Sequence, residues 1–431
     1  MHKNLRWSAV LMVMLLALAA CTGGGSSATE SPSGDESQAP GESQPVGGED
    51  PTAACDADEF GCVEIPEGDP MVMGTIFVIS GANESLGTDS QYGVEVAQQI
   101  RPQIAGHDVE INGQDGLCSA DGGTAAARAL VSEPSIVAII GTSCSSAGVP
   151  AAEITSAEGI MLVSASNTAP SLTDPATHQP FYARTAHNDK IQGAAMAQFV
   201  CEELGLTTAA TIDDGSPYAD QLAAVFAENF PTECGGTITA EEAVTVGQTD
   251  FSGTLGNIAA DSPEFLYFPI FVAEGALITQ QARTTAGLEN TELGGADGIL
   301  TPDWIAAAGE ASEGAYLSGP DLNFTGDFYE GEFLPAYTDV SGLDAPVSVF
   351  HAHAFDAYNM LADAIEAVAI TGDDGTTYIP RTALRDAFFS TSDYAGITGS
   401  LTCDENGDCA NARISVSQVV DGAFERIWPA E

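Results

Sequence analysis

The chain has 431 residues, 62 of them acidic and 11 basic, for a formal net charge of −51. That length holds two domains with cores of ordinary size. So acidic a surface excludes nucleic acid as a partner, because the phosphate backbone would be repelled.

Residues 1–20, MHKNLRWSAVLMVMLLALAA, place Lys3 and Arg6 ahead of an apolar run from Ser8 to Leu18. The run is too short to span a bilayer, and the arrangement is that of an export signal. It closes in Leu18-Ala19-Ala20-Cys21, which resembles the lipobox of bacterial lipoproteins. The resemblance implies cleavage before Cys21 and lipid modification of that cysteine, each buried methylene contributing about 0.8 kcal/mol to the anchor. The expected location is therefore extracytoplasmic, tied to the cell membrane. Residues 21–70 are assigned to an acidic tether. Its first thirty residues are Gly, Ser, Pro and acid and cannot bury enough surface to offset their ordering entropy. Flexible-chain scaling gives that stretch a reach of about 30 Å.

With Cys21 set aside, eight of the nine cysteines remain, and an even set in an exported chain points to disulfides. Cys55/Cys62 and Cys403/Cys409 each bracket a short turn. Spacing offers Cys118/Cys144 and Cys201/Cys234 as further partners, among on the order of a hundred connectivities. The chain has no CxxC, so neither a zinc site nor a thioredoxin-type site is expected, and no metal or cofactor is assigned.

From Met71 onward short β-rich runs alternate with helical patterns. The strands are expected at 75–80, 108–112, 136–141, 160–166, 208–214, 265–271 and 315–319. Helices are expected at 92–100, 124–131, 192–204, 218–230 and 276–285. Such alternation predicts an α/β fold of doubly wound parallel sheets, with ligands beyond the carboxyl ends of the strands. IIGTSCSS and LVSASNT are strand ends of that kind, rich in small hydroxyl residues. Taken singly, each serine there reads most simply as satisfying a turn.

The ordered pieces SGANESLGTDSQYGVEVAQQI, CSADGGTAAARALV, IIGTSCSSAGVPAAEITSAEGIMLVSASNTAPSLT, ARTAHNDKIQGAAMAQFV, DDGSPYADQLAAVF, GQTDFSGTLGNI, GGADGIL, AAGEASEGAYLSGP, HAFDAYNMLADAIEA and ITGSLTCDENGD resemble the type I periplasmic binding proteins. Within these they resemble the branched-chain amino acid (Leu/Ile/Val) receptors of ABC transporters. The resemblance implies two lobes joined by three crossovers, placed near Asp189, Pro320 and Ile397. Lobe one is then 71–188 plus 321–396, and lobe two 189–320 plus 397–431. It also implies a Cys118–Cys144 disulfide and a ligand cleft lined by Ser145, Ser166, Thr168, Tyr218, Phe271 and Asp297. The serines and threonine would serve a carboxylate and Asp297 an ammonium. Phe271 and Leu86 depart from the pattern, standing where the family often has tyrosine or another aromatic. The implied function is a monomeric solute receptor that closes on an amino-acid-like ligand and presents it to permease subunits.

Two rivals belong to other classes: a sensing receptor for amides, urea or small organic acids without transport, and a hydrolase. GTSCSSAG is no G-x-S-x-G elbow, and an oxidised Cys144 is no nucleophile, so an enzyme is not expected. His351 and His353 look like a metal pair, but an i, i+2 spacing on a helical pattern points them to different faces, and both are read as structural. DENGD, between Cys403 and Cys409, reads as a disulfide-closed hairpin turn rather than a calcium loop.

Overall fold

The computed structural model describes residues 51–324 and 326–429. The signal segment, Cys21 and the first part of the tether lie outside these residues.

Two sheets divide the fold. In lobe one, Met71–Phe77 lies between His107–Asp115 and Ile136–Gly141, followed by Met161–Ser164 and Tyr182–Arg184, all parallel. A short strand, Gln103–Ile104, pairs antiparallel at the edge. In lobe two, Thr237–Ala243, Thr208–Asp213, Phe265–Tyr267, Glu292–Gly295 and Tyr316–Pro320 are parallel. Ile414–Val420 and Ala423–Trp428 complete that sheet in antiparallel sense. Strand Ile136–Gly141 is buried at every position, as expected of a parallel strand covered on both faces. The strands and helices fall where periodicity places them, with ends mostly shifted by a few residues; the helix expected at 92–100 differs most, starting at Glu84 and running to Ile100.

Helices Leu334–Ser341, His351–Val368 and Arg381–Phe389 return to lobe one and bury Tyr337, Tyr358, Leu361 and Phe388 in its core. His351 and His353 are both buried. His351 Nδ1 lies 3.1 Å from the Asp89 carboxylate, and its Nε2 meets the Tyr329 hydroxyl at 2.8 Å.

Two boundaries differ from expectation. The third crossover lies at Arg413–Ile414, not near Ile397. Residues 397–413 stay with lobe one because Asp356 accepts hydrogen bonds from the Ile397 and Thr398 amides, and because Leu401 and Cys409 are buried in the lobe-one core. The tether, assigned to residue 70, ends earlier. Helix Pro51–Ala57 and strand Cys62–Ile65, joined by Cys55–Cys62, form a clasp on lobe one, the strand pairing antiparallel with Thr377–Pro380. Asp58 accepts from the Thr382 and Ala383 amides at the start of helix Arg381–Phe389, and Phe60 stands edge-on to Phe181 at 5.1 Å. The Gly- and Pro-rich stretch hid this clasp, whose anchoring side chains are few and widely spaced.

The other disulfides join Cys118–Cys144, Cys201–Cys234 and Cys403–Cys409. The last closes a hairpin turn with backbone bonds from Thr402 to Cys409 and from Asp404 to Asp408.

Candidate functional site

Strand Ile136–Gly141 delivers the first wall of the cleft. Gly141 has φ +144°, and a side chain there would strike the Ile76 carbonyl, so glycine is required where the strand gives way to the loop. Cys144 then caps helix Ser145–Ala157 while its disulfide ties the turn to Cys118. The hydroxyls of this stretch are used differently. Ser143 Oγ accepts from the Val78 amide at 3.0 Å, and Ser146 Oγ donates to the Cys118 carbonyl at 3.0 Å, so both hold the loop itself. Ser145 Oγ accepts from the Ala169 amide at 3.3 Å, which leaves its own proton to donate.

The second wall follows strand Met161–Ser164. Ser164 Oγ accepts from the amides of Ser166 and Asn167, folding the chain back on itself. Ser166 Oγ donates to the Ser143 carbonyl at 2.9 Å and so joins the two loops. Thr168 Oγ1 is buried without a hydrogen-bond partner. Such a group costs free energy unless something is bound to it.

Lobe two supplies the opposing face. Asp297 opens a short helical turn after strand Glu292–Gly295; its Oδ1 accepts from Gln192 Nε2 at 2.7 Å and from the Tyr218 hydroxyl at 3.2 Å. Tyr218 OH accepts in turn from the Gly298 amide at 3.0 Å, and its ring lies 5.2 Å from that of Phe271. Burial pushes the Asp297 carboxyl up to about 6, against the pull of its hydrogen bonds. Leu86 packs in one apolar cluster with Tyr218, Phe271, Val78 and Cys144, so residues of both lobes meet there.

Three residues at this site were not singled out from the sequence. Asp189, at the start of helix Asp189–Glu202, has both carboxylate oxygens buried without a hydrogen bond of ordinary geometry, and the Thr168 hydroxyl lies near enough to favour its charged form. Burial first, and then the charge of Asp297, push its carboxyl well above the ordinary range. His187 is driven down to about 4 by burial, and its Nδ1 has no partner while Nε2 meets Gln192 Oε1. Gln192 therefore orients both His187 and Asp297. Ligand atoms of His187, Asp189 and Asp297 lie within 4.8 Å of one another, an arrangement that could hold a cation, whether an ammonium or a metal ion. ARTAHNDKIQG carried the signal, but there Asp189 read only as a crossover, with the helix expected to begin at Gln192.

The lobes are closed on each other. Ser85 Oγ meets the Asp303 carboxylate, Asn83 Oδ1 accepts from the Val272 amide at 3.4 Å, and Ser171 and Gln221 exchange two hydrogen bonds of 2.9 Å. Ser145, Ser166, Thr168, Tyr218 and Asp297 are all buried, and Phe271 is 9% exposed. Cys144 is held in a disulfide and offers no thiolate.

The sequence profile of the periplasmic binding proteins matches residues 70–423. The chain is 27% identical over 302 residues to the leucine-, isoleucine-, valine-, threonine- and alanine-binding protein of Pseudomonas aeruginosa, covering 70% of this chain and 76% of that one. It is 25% identical over 359 residues to a Leu/Ile/Val-binding protein homologue of Brucella melitensis, covering 82% and 92%. A leucine-binding protein from Thermotoga maritima superposes with a TM-score of 0.74 at 26% identity, covering 83% of this chain and 97% of that one. An isoleucine-bound transporter substrate-binding protein from Streptococcus pneumoniae shares the fold, with a TM-score of 0.70 at 22% identity, covering 83% and 99%. With its two parallel-sheet lobes closed over a buried polar cleft, this chain belongs to the type I periplasmic binding proteins, in their branched-chain amino acid family.

Proposed function

We propose that the chain is the extracytoplasmic receptor of an ABC importer, capturing an α-amino acid with an apolar side chain between its lobes. The observation that carries this reading is the opposition of two kinds of group across the cleft. Lobe one offers Thr168 Oγ1, unpaired, and Ser145 Oγ with a proton to donate; lobe two offers Asp297, flanked by Tyr218 and Phe271. A zwitterion fits that polarity, its carboxylate toward the hydroxyls and its ammonium toward the acid, with Ser166 holding the loop. Leu86 and Phe271 line the space for an apolar side chain. Closure is the signal read by the permease, because a ligand shifts the population only through contacts made in the closed state. Lipid attachment at Cys21 would keep the receptor at the membrane, and no step of this scheme requires catalysis or a cofactor.

Titration calorimetry against the common α-amino acids tests the reading. Heat with leucine, isoleucine or valine is expected, and no heat with any α-amino acid at millimolar concentration would overturn it.

A further inference from the structure

Strand Tyr182–Arg184 ends in a guanidinium that makes no hydrogen bond to the cleft acids, although its charge favours ionisation of Asp189. Arg184 is fully buried. Its Nη1 donates to the carbonyls of Asn167 at 3.1 Å and Ala169 at 2.9 Å, the residues on either side of Thr168. Its Nη2 donates to Thr173 Oγ1 at 2.7 Å, and its Nε meets the Asp408 carboxylate. A guanidinium buried against neutral carbonyls alone would be a stranded charge, and Asp408 supplies the compensation.

Asp408 is itself held from several sides. Its Oδ2 accepts from Thr173 Oγ1 at 3.0 Å and from Asn188 Nδ2 at 2.9 Å. It sits inside the turn closed by Cys403–Cys409, where Asp404 Oδ1 accepts from the Asn406 and Asp408 amides. The turn is strapped to the strand by two backbone bonds, Arg184 N to the Gly407 carbonyl at 2.8 Å and Cys409 N to the Arg184 carbonyl at 3.0 Å. Gly407, at φ +82°, lies so close to Tyr182 and Ala183 that a side chain would collide with their backbone.

We propose that the Arg184–Asp408 pair is the positioning device of the ligand loop. The disulfide-closed turn fixes Asp408, Asp408 fixes Arg184, and Arg184 fixes the carbonyls of Asn167 and Ala169. The Thr168 hydroxyl is thereby held in the cleft, and the Ala169 amide is held against Ser145. Neither charged residue touches the ligand; both act through backbone. The inference rests on reading 166–169 as a ligand loop. It also makes the first crossover part of the same unit, since Asn188 binds Asp408 and the Asp189 amide donates to the Thr168 carbonyl at 3.0 Å. A turn remote in sequence thus sets the geometry of both the loop and the hinge.

Amide hydrogen exchange on the whole exported chain tests this, following the segment 161–172 in the wild type, Asp408→Asn and Asp408→Glu. Calorimetry with L-leucine as probe runs alongside. In Asp408→Asn the loop amides should exchange about tenfold faster and leucine should bind about tenfold more weakly, while segments 208–213 and 265–267 keep wild-type exchange. Asp408→Glu should recover most of both losses, which a role confined to bulk stability would not require. The double variant Cys403→Ser, Cys409→Ser should move in the same direction as Asp408→Asn. Unchanged exchange over 161–172 in Asp408→Asn would overturn the proposal, and so would an equal rise in both lobes. If the wild type binds no α-amino acid, the functional reading fails by itself, and the exchange comparison still decides whether the pair positions the loop.

Discussion

Gln192 binds Asp297 through a 2.7 Å hydrogen bond from its amide nitrogen to the carboxylate, while its amide oxygen meets His187. One side chain thus sets the aim of the acid proposed to meet the ligand. Replacing Asp297 by Asn should weaken an α-amino acid by on the order of a hundredfold or more, since a buried ammonium loses its counter-charge. The ligand-free protein should not be destabilised, because the charge of Asp297 raises the cost of ionising the neighbouring Asp189. Calorimetry and thermal unfolding of the two proteins check both halves, and equal affinity would mean that no ammonium sits at Asp297.

Closure can be weakened without touching the ligand. The contact between Ser85 and Asp303 joins the lobes at an exposed position. Asp303→Ala should therefore lower affinity only modestly, by up to about tenfold, through loss of one hydrogen bond from the closed state alone. Small-angle scattering without ligand should show a larger mean radius than the wild type. A variant as compact and as tight-binding as the wild type would show that this contact does not bias closure.

Acid should act on lobe one through Asp89. Burial raises its carboxyl, but the charge and hydrogen bonds of His351, with further bonds from Tyr337 and the backbone, outweigh burial and hold it below its ordinary value. An acid so depressed adds stability above the unfolded-state value near about pH 4, and that stability is lost as pH falls through the folded value. Melting temperature should thus drop below about pH 4, with a shallower slope in Asp89→Asn. At neutral pH that variant should lose about 3 to 5 kcal/mol, because its amide turns donors toward other donors. Tyr337→Phe, which removes one of the bonds to Asp89, should show a smaller loss in the same direction.

Removing the Cys118–Cys144 disulfide, which closes a separation of 26 residues, should cost roughly 3 to 4 kcal/mol in the chain-entropy account. The same change frees the cap of helix Ser145–Ala157, so ligand affinity should fall along with stability. Urea titration and calorimetry on Cys118→Ser, Cys144→Ser measure the two effects, and an affinity equal to wild type would detach the disulfide from the binding loop.

What the sequence made legible was whatever is local or periodic. IVAIIG announced a fully buried parallel strand, and the hydroxyls after it marked a strand end. Relations between distant segments stayed hidden. Asp189 reads only as a crossover until the fold sets it beside Asp297, 108 residues away in the chain. Ile397 looked like a crossover because nothing local shows that Asp356 grips its amide. Residues 51–65 looked like more tether because their hold on the fold comes from a few well-spaced groups, Asp58 and Phe60 among them. In each case a handful of long-range contacts, polar, aromatic or between strands, decided the structure, and composition averages such contacts away.

The clasp also fixes where the chain joins lobe one. Phe60 presses against Gly159 and Phe181, which lie at the amino-terminal edges of the lobe-one strands, whereas the cleft opens at their carboxyl edges. The polypeptide therefore enters the fold at the end of lobe one opposite the cleft. A pull on the preceding chain would be borne by one lobe alone. Were the preceding chain anchored as proposed, a movement of lobe two would leave the point of attachment where it is.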